Sequence, residues 1–415
     1  MGIQLSPEQA RYIADRYGTP TFVYDEQALE NKAGEALAFP HAFGLTVRYA
    51  MKANPNKGIL QLFDKLGLHI DASSGFEAER ALIAGIDAHK IQLTAQELPT
   101  HLRELLRQGV LFNACSLHQL EVIARLAPAS AISLRVNPGQ GSGVHAKVNV
   151  GGSMSSFGIW HKHLGKAKKI ILEKKLRVER FHSHIGSGTD PRVWQQVARI
   201  TLGLVNQFPD VHTVNLGGGF KVARVPGEQQ TDLQSCGSAI KHEIERFYRA
   251  TGRELHLEIE PGTFLTANTG WILARIIDIV ETDKYSFIKI DSGMTENTRL
   301  ALYGSQHLLA VIPAVSIGNV PKKKKRYLVV GHCCENGDRW TVKKDDGDVG
   351  EPRQLHEARI GDLLLCGGAG AYCSSMSTKN YNSFPEAAEV MIKKDGATQP
   401  IRTRQTLKQI MQNEC

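Results

Sequence analysis

Short apolar runs alternate with longer amphipathic stretches from about residue 45 to residue 275. In order they are LTVRYAMKAN then KGILQLFDKLG, LHIDASS then FEAERALIAG, KIQLTA then LPTHLRELLRQG, VLFNACS then LHQLEVIARLA, AISLRVNP, VERFHSHIGS then WQQVARITLGLVNQF, TVNLGGGF then CGSAIKHEIERFYRATG, and LHLEIEP. The apolar runs are too short for helices, and the stretches after them repeat at helical spacing. That alternation predicts βα units around a parallel sheet. Eight such strands favour a closed (β/α)8 barrel over an open sheet. After residue 275 strands dominate: WILARIIDIVET, YSFIKIDS, HLLAVIPAVSI, RYLVVGHCC, RWTVKK and DLLLCGG, with an amphipathic tail TRQTLKQIMQNE. The pattern predicts a barrel over residues 28–275 and a second, mainly antiparallel β domain from 1–27 plus 276–415. The first twenty residues read as an amphipathic helix.

A chain of 415 residues, 42% hydrophobic and 22% charged, has room for two such domains. No run of 18 apolar residues occurs, so no membrane partner is expected, and the start lacks a signal peptide's basic and apolar regions. Seven cysteines without paired CxxC motifs point to neither zinc nor a disulfide framework, hence to a reduced cytoplasm and no metal. The net charge of +8 and the run Pro321-Lys322-Lys323-Lys324-Lys325-Arg326 raise a nucleic-acid reading. Apolar residues flank the run and no aromatics interleave it, so it reads as a solvated turn between strands, with no nucleic-acid partner.

Chemistry concentrates at strand ends. Lys52 closes the run Tyr49-Ala50-Met51; a lysine directed into a barrel mouth is poorly solvated, and its neutral amine is the form that makes imines. The ordinary alternative is a surface lysine. Gly217, Gly218 and Gly219 follow Val214-Asn215-Leu216 and suit a single phosphate, lacking the spacing of a nucleotide loop. Glu258 and Glu260 alternate onto one face. A buried carboxylate needs a partner, either the protonated nitrogen of a pyridine ring or a structural cation. His182 and His184 also share a face, and a flat imidazole can stack on a flat ring. The tryptophans 160, 194, 271 and 340, and Cys115, Cys236 and Cys366, read as packing residues.

Taken in order, YAMKAN, DASSGFE (71–77), RVNP (135–138), SFGI (156–159), HSHIGS, NLGGGF, EPG, CENGD (334–338) and GAYCSSMSTKNYN (370–382) carry a resemblance over nearly the whole chain. The sequence resembles the alanine-racemase-fold decarboxylases that use pyridoxal 5'-phosphate (PLP), most closely the diaminopimelate decarboxylase group. The resemblance implies a cytoplasmic homodimer with shared active sites that converts meso-diaminopimelate to L-lysine and carbon dioxide. By position, Lys52 would bind PLP as a Schiff base, His184 would stack on the ring, and Ser187 would contact the cofactor. Gly217 to Gly219 would cradle the phosphate, with Gly262 and Tyr372 close by, and Glu260 would hold the ring nitrogen protonated. Arg299, Tyr303, Glu335 and Tyr372 would contact the substrate. Cys334, entering the partner's site with Glu335, would return a proton to the α-carbon.

The chain departs from the pattern at four places. Thr263 stands where the family has the arginine of Glu-Pro-Gly-Arg, which removes a cation. His332, Asn336 and Cys373 replace a proline, a serine and a glycine. The substrate class therefore stays open at this stage to ornithine, lysine or a carboxylate conjugate of siderophore or antibiotic assembly. A racemase would need two opposed bases. A non-catalytic regulator of this fold would have no use for Lys52, Glu260 and Cys334 together.

Overall fold

A computed structural model of the chain describes residues 5–139, 152–184, 186–315 and 323–415. It divides into two compact units, Glu30–Val222 with Gln229–Leu265, and Met1–Leu29 with Ala223–Glu228 and Thr266–Cys415.

The first unit is a closed parallel barrel. Its strands are Leu45–Ala50, His69–Ala72, Ile91–Leu93, Leu111–Ala114, Ala131–Asn137, Arg177–His182, Thr213–Asn215 and His256–Ile259. These are the eight runs that the hydrophobic pattern marks. The last strand pairs with the first (Leu257 opposite Leu45), and Asn113 opposite Ser133 completes the ring. A two-residue strand, Ile159–Trp160, adds beside Val136 and Asn137. Helices begin where a short polar side chain can accept the first orphan N–H groups. Asn56, Ser74, Ser116, Asp190 and Asp232 cap Lys57–Lys65, Gly75–Ile83, Leu117–Leu126, Pro191–Val205 and Leu233–Thr251.

Two barrel helices, Glu26–Leu37 and Leu164–Glu173, have no counterpart in the sequence reading. Leu164–Glu173 buries Leu164 and Ala167 and carries three lysines, so its apolar stripe is thin. Inside the barrel, Glu258 accepts from Arg48 at 2.9 Å and from Arg180, while Asn215 Nδ2 lies 3.3 Å away. Arg48 and Glu258 are each 2% exposed at the side chain. Such a pair is held by its geometry, because breaking it strands a buried charge.

The second unit is a twisted, mainly antiparallel sheet. Its strands run in the order Arg353–His356, Lys324–Val330, Ser286–Ile290, Gly270–Glu281, Thr21–Asp25, Ala388–Ile392 and Thr398–Arg402. Leu363–Gly367 joins Gly270–Glu281 and also pairs with Leu309–Ile312. Two pairings are parallel, Thr21–Asp25 with Ala388–Ile392 and Ser286–Ile290 with Lys324–Val330. The core gathers Ile13, Val23, Trp271, Leu273, Ile312 and Leu365 under the helix Pro7–Tyr17, which Ser6 and Gln9 close with a capping box.

The lysine run corrects the sequence reading. Pro321 and Lys322 lie outside the described residues, but Lys324, Lys325 and Arg326 belong to a strand rather than a turn. Their backbone pairs with His356, Leu355 and Gln354, and Lys325 meets Glu281. A lysine stem lies easily along a sheet while its ammonium stays in water. The tail is also shorter than its pattern, helical over Leu407–Ile410. Trp194, Trp271, Trp340, Cys115, Cys236 and Cys366 are buried, as packing residues should be. Among the described residues no helix is long and apolar enough to cross a membrane.

Candidate active site

The barrel strands deliver their chemistry at one end. The strand His256–Ile259 stops before Glu260, whose carboxylate accepts from Gln92 Nε2 at 2.7 Å and from Asn215 Nδ2 at 2.8 Å. His182 Nε2 lies 3.2 Å from its other oxygen. Burial alone would raise Glu260, but the facing His182, and then His184 and Arg135, hold it well below the usual carboxylate range. Burial keeps His182 and His184 low, His184 with help from the charge of Arg135. Asp71, at the end of His69–Ala72, takes hydrogen bonds from Gln92 at 3.2 Å and Thr94 at 3.1 Å. Burial and the charge of Glu260 push its carboxyl well above the usual range.

Gly262 and Pro261 clasp the turn that carries Lys52. The Pro261 carbonyl accepts from Ala50 N at 3.2 Å, and a Cβ at Gly262 would sit 3.2 Å from Ala53 Cβ and 3.3 Å from Ala50 Cβ. Lys52 itself lies in the single turn Met51–Ala53 beyond the strand. Its side chain is exposed in the single chain, which corrects the expectation of a desolvated amine: the turn carries it past the strand end and out to the rim. Its charge acts on Asp71, Glu77 and His184, so it faces the same mouth.

The glycine run follows Thr213–Asn215. Gly217 adopts φ +69°, and a Cβ there would fall 2.5 Å from His184 Nδ1. A Cβ at Gly218 or Gly219 would collide with the carbonyls of Glu260 and Gly186. Asn215 Oδ1 accepts from Gly217 N at 2.8 Å. The N–H groups of Gly218 and Gly219 have no acceptor among the described residues. His184 Nδ1 is sealed from solvent, also without a partner among them. Ser187 is half-buried beyond it, and Ile185 between them lies outside the described residues. An unspent pair of backbone donors, an orphaned imidazole and an ionised carboxylate in one mouth fit a phosphorylated pyridine aldehyde.

The remaining candidates stand in the second unit. Arg299 opens the short helix Arg299–Tyr303, with its guanidinium 5.6 Å from the Tyr303 ring centre. Tyr372 is half-buried at φ +58°, uncommon for tyrosine. Cys334 and Glu335 are exposed on the loop after Lys324–Val330. Asn382 Oδ1 accepts from Cys334 N at 2.8 Å, and Asp338 Oδ2 accepts from Cys333 N at 3.0 Å. Among the described residues no hydrogen bond or ion pair joins Cys334 or Glu335 to Arg299, Tyr303 or Tyr372. His332 stacks on Phe384 with centroids 3.6 Å apart, which occupies the ring in packing.

Sequence reasoning gave no role to Asp71, Gln92, Arg135 or Asn215, although each ends or lines a barrel strand. Asp71 and Arg135 stand inside motifs quoted above; Gln92 carries no signal, because an amide in an apolar strand has no family of uses. The two glutamates divide the alternatives posed for them: Glu258 is the structural ion pair, and Glu260 faces the mouth.

The family model for the pyridoxal binding domain of pyridoxal-dependent decarboxylases matches residues 31–267. A diaminopimelate decarboxylase of Streptomyces coelicolor is 34% identical over 408 residues, 97% of this chain and 90% of that protein. The Escherichia coli K12 diaminopimelate decarboxylase is 33% identical over 415 residues, 98% of this chain and 96% of that one. A crystal structure of a diaminopimelate decarboxylase superposes with TM-score 0.91 at 32% identity, covering 99% and 97% of the two chains. A barrel closed by eight parallel strands, a mouth fitted to a phosphorylated pyridine and this similarity along the full chain lead to one conclusion: the chain belongs to the pyridoxal-dependent decarboxylases, in the group of the diaminopimelate decarboxylases.

Proposed function

We propose that the protein removes one carboxylate of meso-diaminopimelate as carbon dioxide and leaves L-lysine. The observation that carries the reading is Glu260, fixed by Gln92, Asn215 and His182 beside a bare glycine loop, in a chain similar to diaminopimelate decarboxylases from end to end. PLP, when bound, supplies the ring that accepts the electron pair left by the departing carboxylate. Lys52 Nζ is the amine that would hold its aldehyde, with the N–H groups of Gly218 and Gly219, Ser187 and Tyr372 toward its phosphate. Gly217 and Gly262 keep the backbone close. Glu260, kept ionised, holds a proton on the ring nitrogen, and neutral His184 offers its face to the ring.

Arg299 and Tyr303 take the carboxylate that stays, and Glu335 takes the second ammonium. Cys334 delivers the proton to the α-carbon. Its exposure in the single chain suits a residue that works in a second copy, so we assign a homodimer with shared sites. We assign cofactor binding to the barrel unit, Glu30–Val222 with Gln229–Leu265, the substrate side to the second unit, and the cytoplasm as the place of work. The reading for another diamino acid attaches to Thr263, which offers a hydroxyl in place of a charge.

The test is carbon dioxide release from meso-diaminopimelate, L- and D-lysine and L- and D-ornithine by the PLP-loaded enzyme. The expected outcome is release from diaminopimelate with lysine as the amine product. Release from ornithine or lysine in its place would contradict the substrate, and release from none would contradict the reading.

A further inference from the structure

Two arginines in the second unit flank one stretch of chain: Arg224 holds Gly368, His307 holds the adjacent Gly367, and Arg299 holds Ser305 two residues before His307. Arg224 Nε donates to the Gly368 carbonyl at 3.0 Å, and its stem lies so close over Gly368 that a Cβ there would come 2.9 Å from Arg224 Cγ. Its Nη2 is sealed from solvent with no partner among the described residues. Arg299 donates from Nη2 to Ser305 Oγ at 3.3 Å, while its Nε is likewise sealed and unpartnered. No ion pair among the described residues involves either side chain. Glu228 is the carboxylate felt by Arg224, and its Oε2 already accepts from Arg224's own backbone N–H at 2.7 Å.

The other neighbours do not neutralise the pair. They are Tyr372, Cys373 and His307. His307 Nδ1 donates to the Gly367 carbonyl at 2.9 Å, and burial, then Arg224 and Arg299, lower the ring to about 3, so it is neutral. Burial, and then Arg299, lower Arg224 to about 9, which still leaves it charged at neutral pH. Two half-buried guanidiniums in one neighbourhood, each with a sealed and unspent donor, are costly until an anion joins them. A carboxylate matches the planar fork of an arginine and can be shared by two.

We infer that Arg224 and Arg299 form one carboxylate-binding subsite, occupied by the substrate carboxylate that is not released. The inference rests on the function proposed above and makes Arg224 a specificity-determining residue. A phosphate oxygen of the cofactor is the other anion of fitting chemistry, and the test separates the two.

The PLP-loaded enzyme and its Arg224→Gln and Arg224→Lys variants are compared by KM and kcat for diaminopimelate and by PLP affinity from fluorescence titration. Calorimetric binding of pimelate, a dicarboxylate without amino groups, gives a readout independent of turnover. Losing a charged hydrogen bond raises KM and the pimelate Kd about tenfold or more in Arg224→Gln. Arg224→Lys falls between, kcat moves by no more than about threefold, and PLP affinity and melting temperature hold. Unchanged KM and pimelate binding would overturn the inference, as would weakened PLP affinity with KM unchanged, which assigns Arg224 to the phosphate. Should Arg224→Gln not fold, Arg224→Lys carries the same comparison with a smaller rise in KM. A wild-type enzyme inert toward diaminopimelate defeats the functional reading alone, because pimelate binding still tests the subsite.

Discussion

The two units hold their candidate groups in different ways. In the barrel, Glu260 and Asp71 end strands and meet Gln92, Asn215, His182 and Thr94 through hydrogen bonds of 2.7–3.2 Å. Beneath them the ion pair of Glu258 with Arg48 and Arg180 locks the strands. In the β-rich unit the candidate groups stand on loops and short helices, and several carry unspent donors: Arg224 Nη2, Arg299 Nε and Asn297 Nδ2. The contrast divides the work. Strand ends preorganise a fixed charge pattern for a cofactor that stays, whereas the loops keep capacity open for a substrate that comes and goes.

That division can be broken by experiment. Glu258→Ala should destabilise the protein by about 3–5 kcal/mol in chemical denaturation, because it strands Arg48 and Arg180. A cost near zero would remove the ionic layer as the barrel's lock. Acid acts on the same layer. Burial opposes ionisation of Glu258, but Arg48 and Arg180 more than offset it and lower its pKa from 4.5 to about 2. A carboxylate lowered on folding stabilises fully above its unfolded value, and the contribution of about 3 kcal/mol fades as pH falls from 4.5 toward 2. The acid limb of a stability–pH curve should therefore flatten in Glu258→Ala; an unchanged limb would assign it to other groups.

On the loop side, Cys334→Ala should slow kcat by about a hundredfold or more while stability and PLP affinity hold. Equal turnover would take Cys334 out of the reaction. The smallest effect belongs to a helix cap: Ser116→Ala removes the cap of Leu117–Leu126 and should cost about 1 kcal/mol without altering KM. A changed KM would mean that the helix ends are tied to the site.

The same contrast explains what was legible in the sequence. Parallel strands covered on both faces read as unbroken apolar runs, so all eight barrel strands and their chemically marked ends could be found. Helix Leu164–Glu173 could not, since lysines interrupt its stripe, nor could Glu26–Leu37. The strand at Lys324–Arg326 was hidden by its charges, although backbone partners and not side chains make a ladder. Lys52 was expected with too little water around it, because one extra turn after Ala50 is invisible in the hydrophobic pattern. Arg224 left no trace at all: a lone arginine five residues past a glycine run gains meaning from its unpartnered nitrogen and its proximity to Arg299.

The central claim is covalent attachment of the cofactor at Lys52. Borohydride reduction of the PLP-loaded protein, followed by peptide mass spectrometry, tests it directly. The account predicts a single pyridoxyl adduct on the peptide containing Lys52, absent from Lys52→Ala. An adduct on a different lysine, or none despite bound PLP, would contradict it.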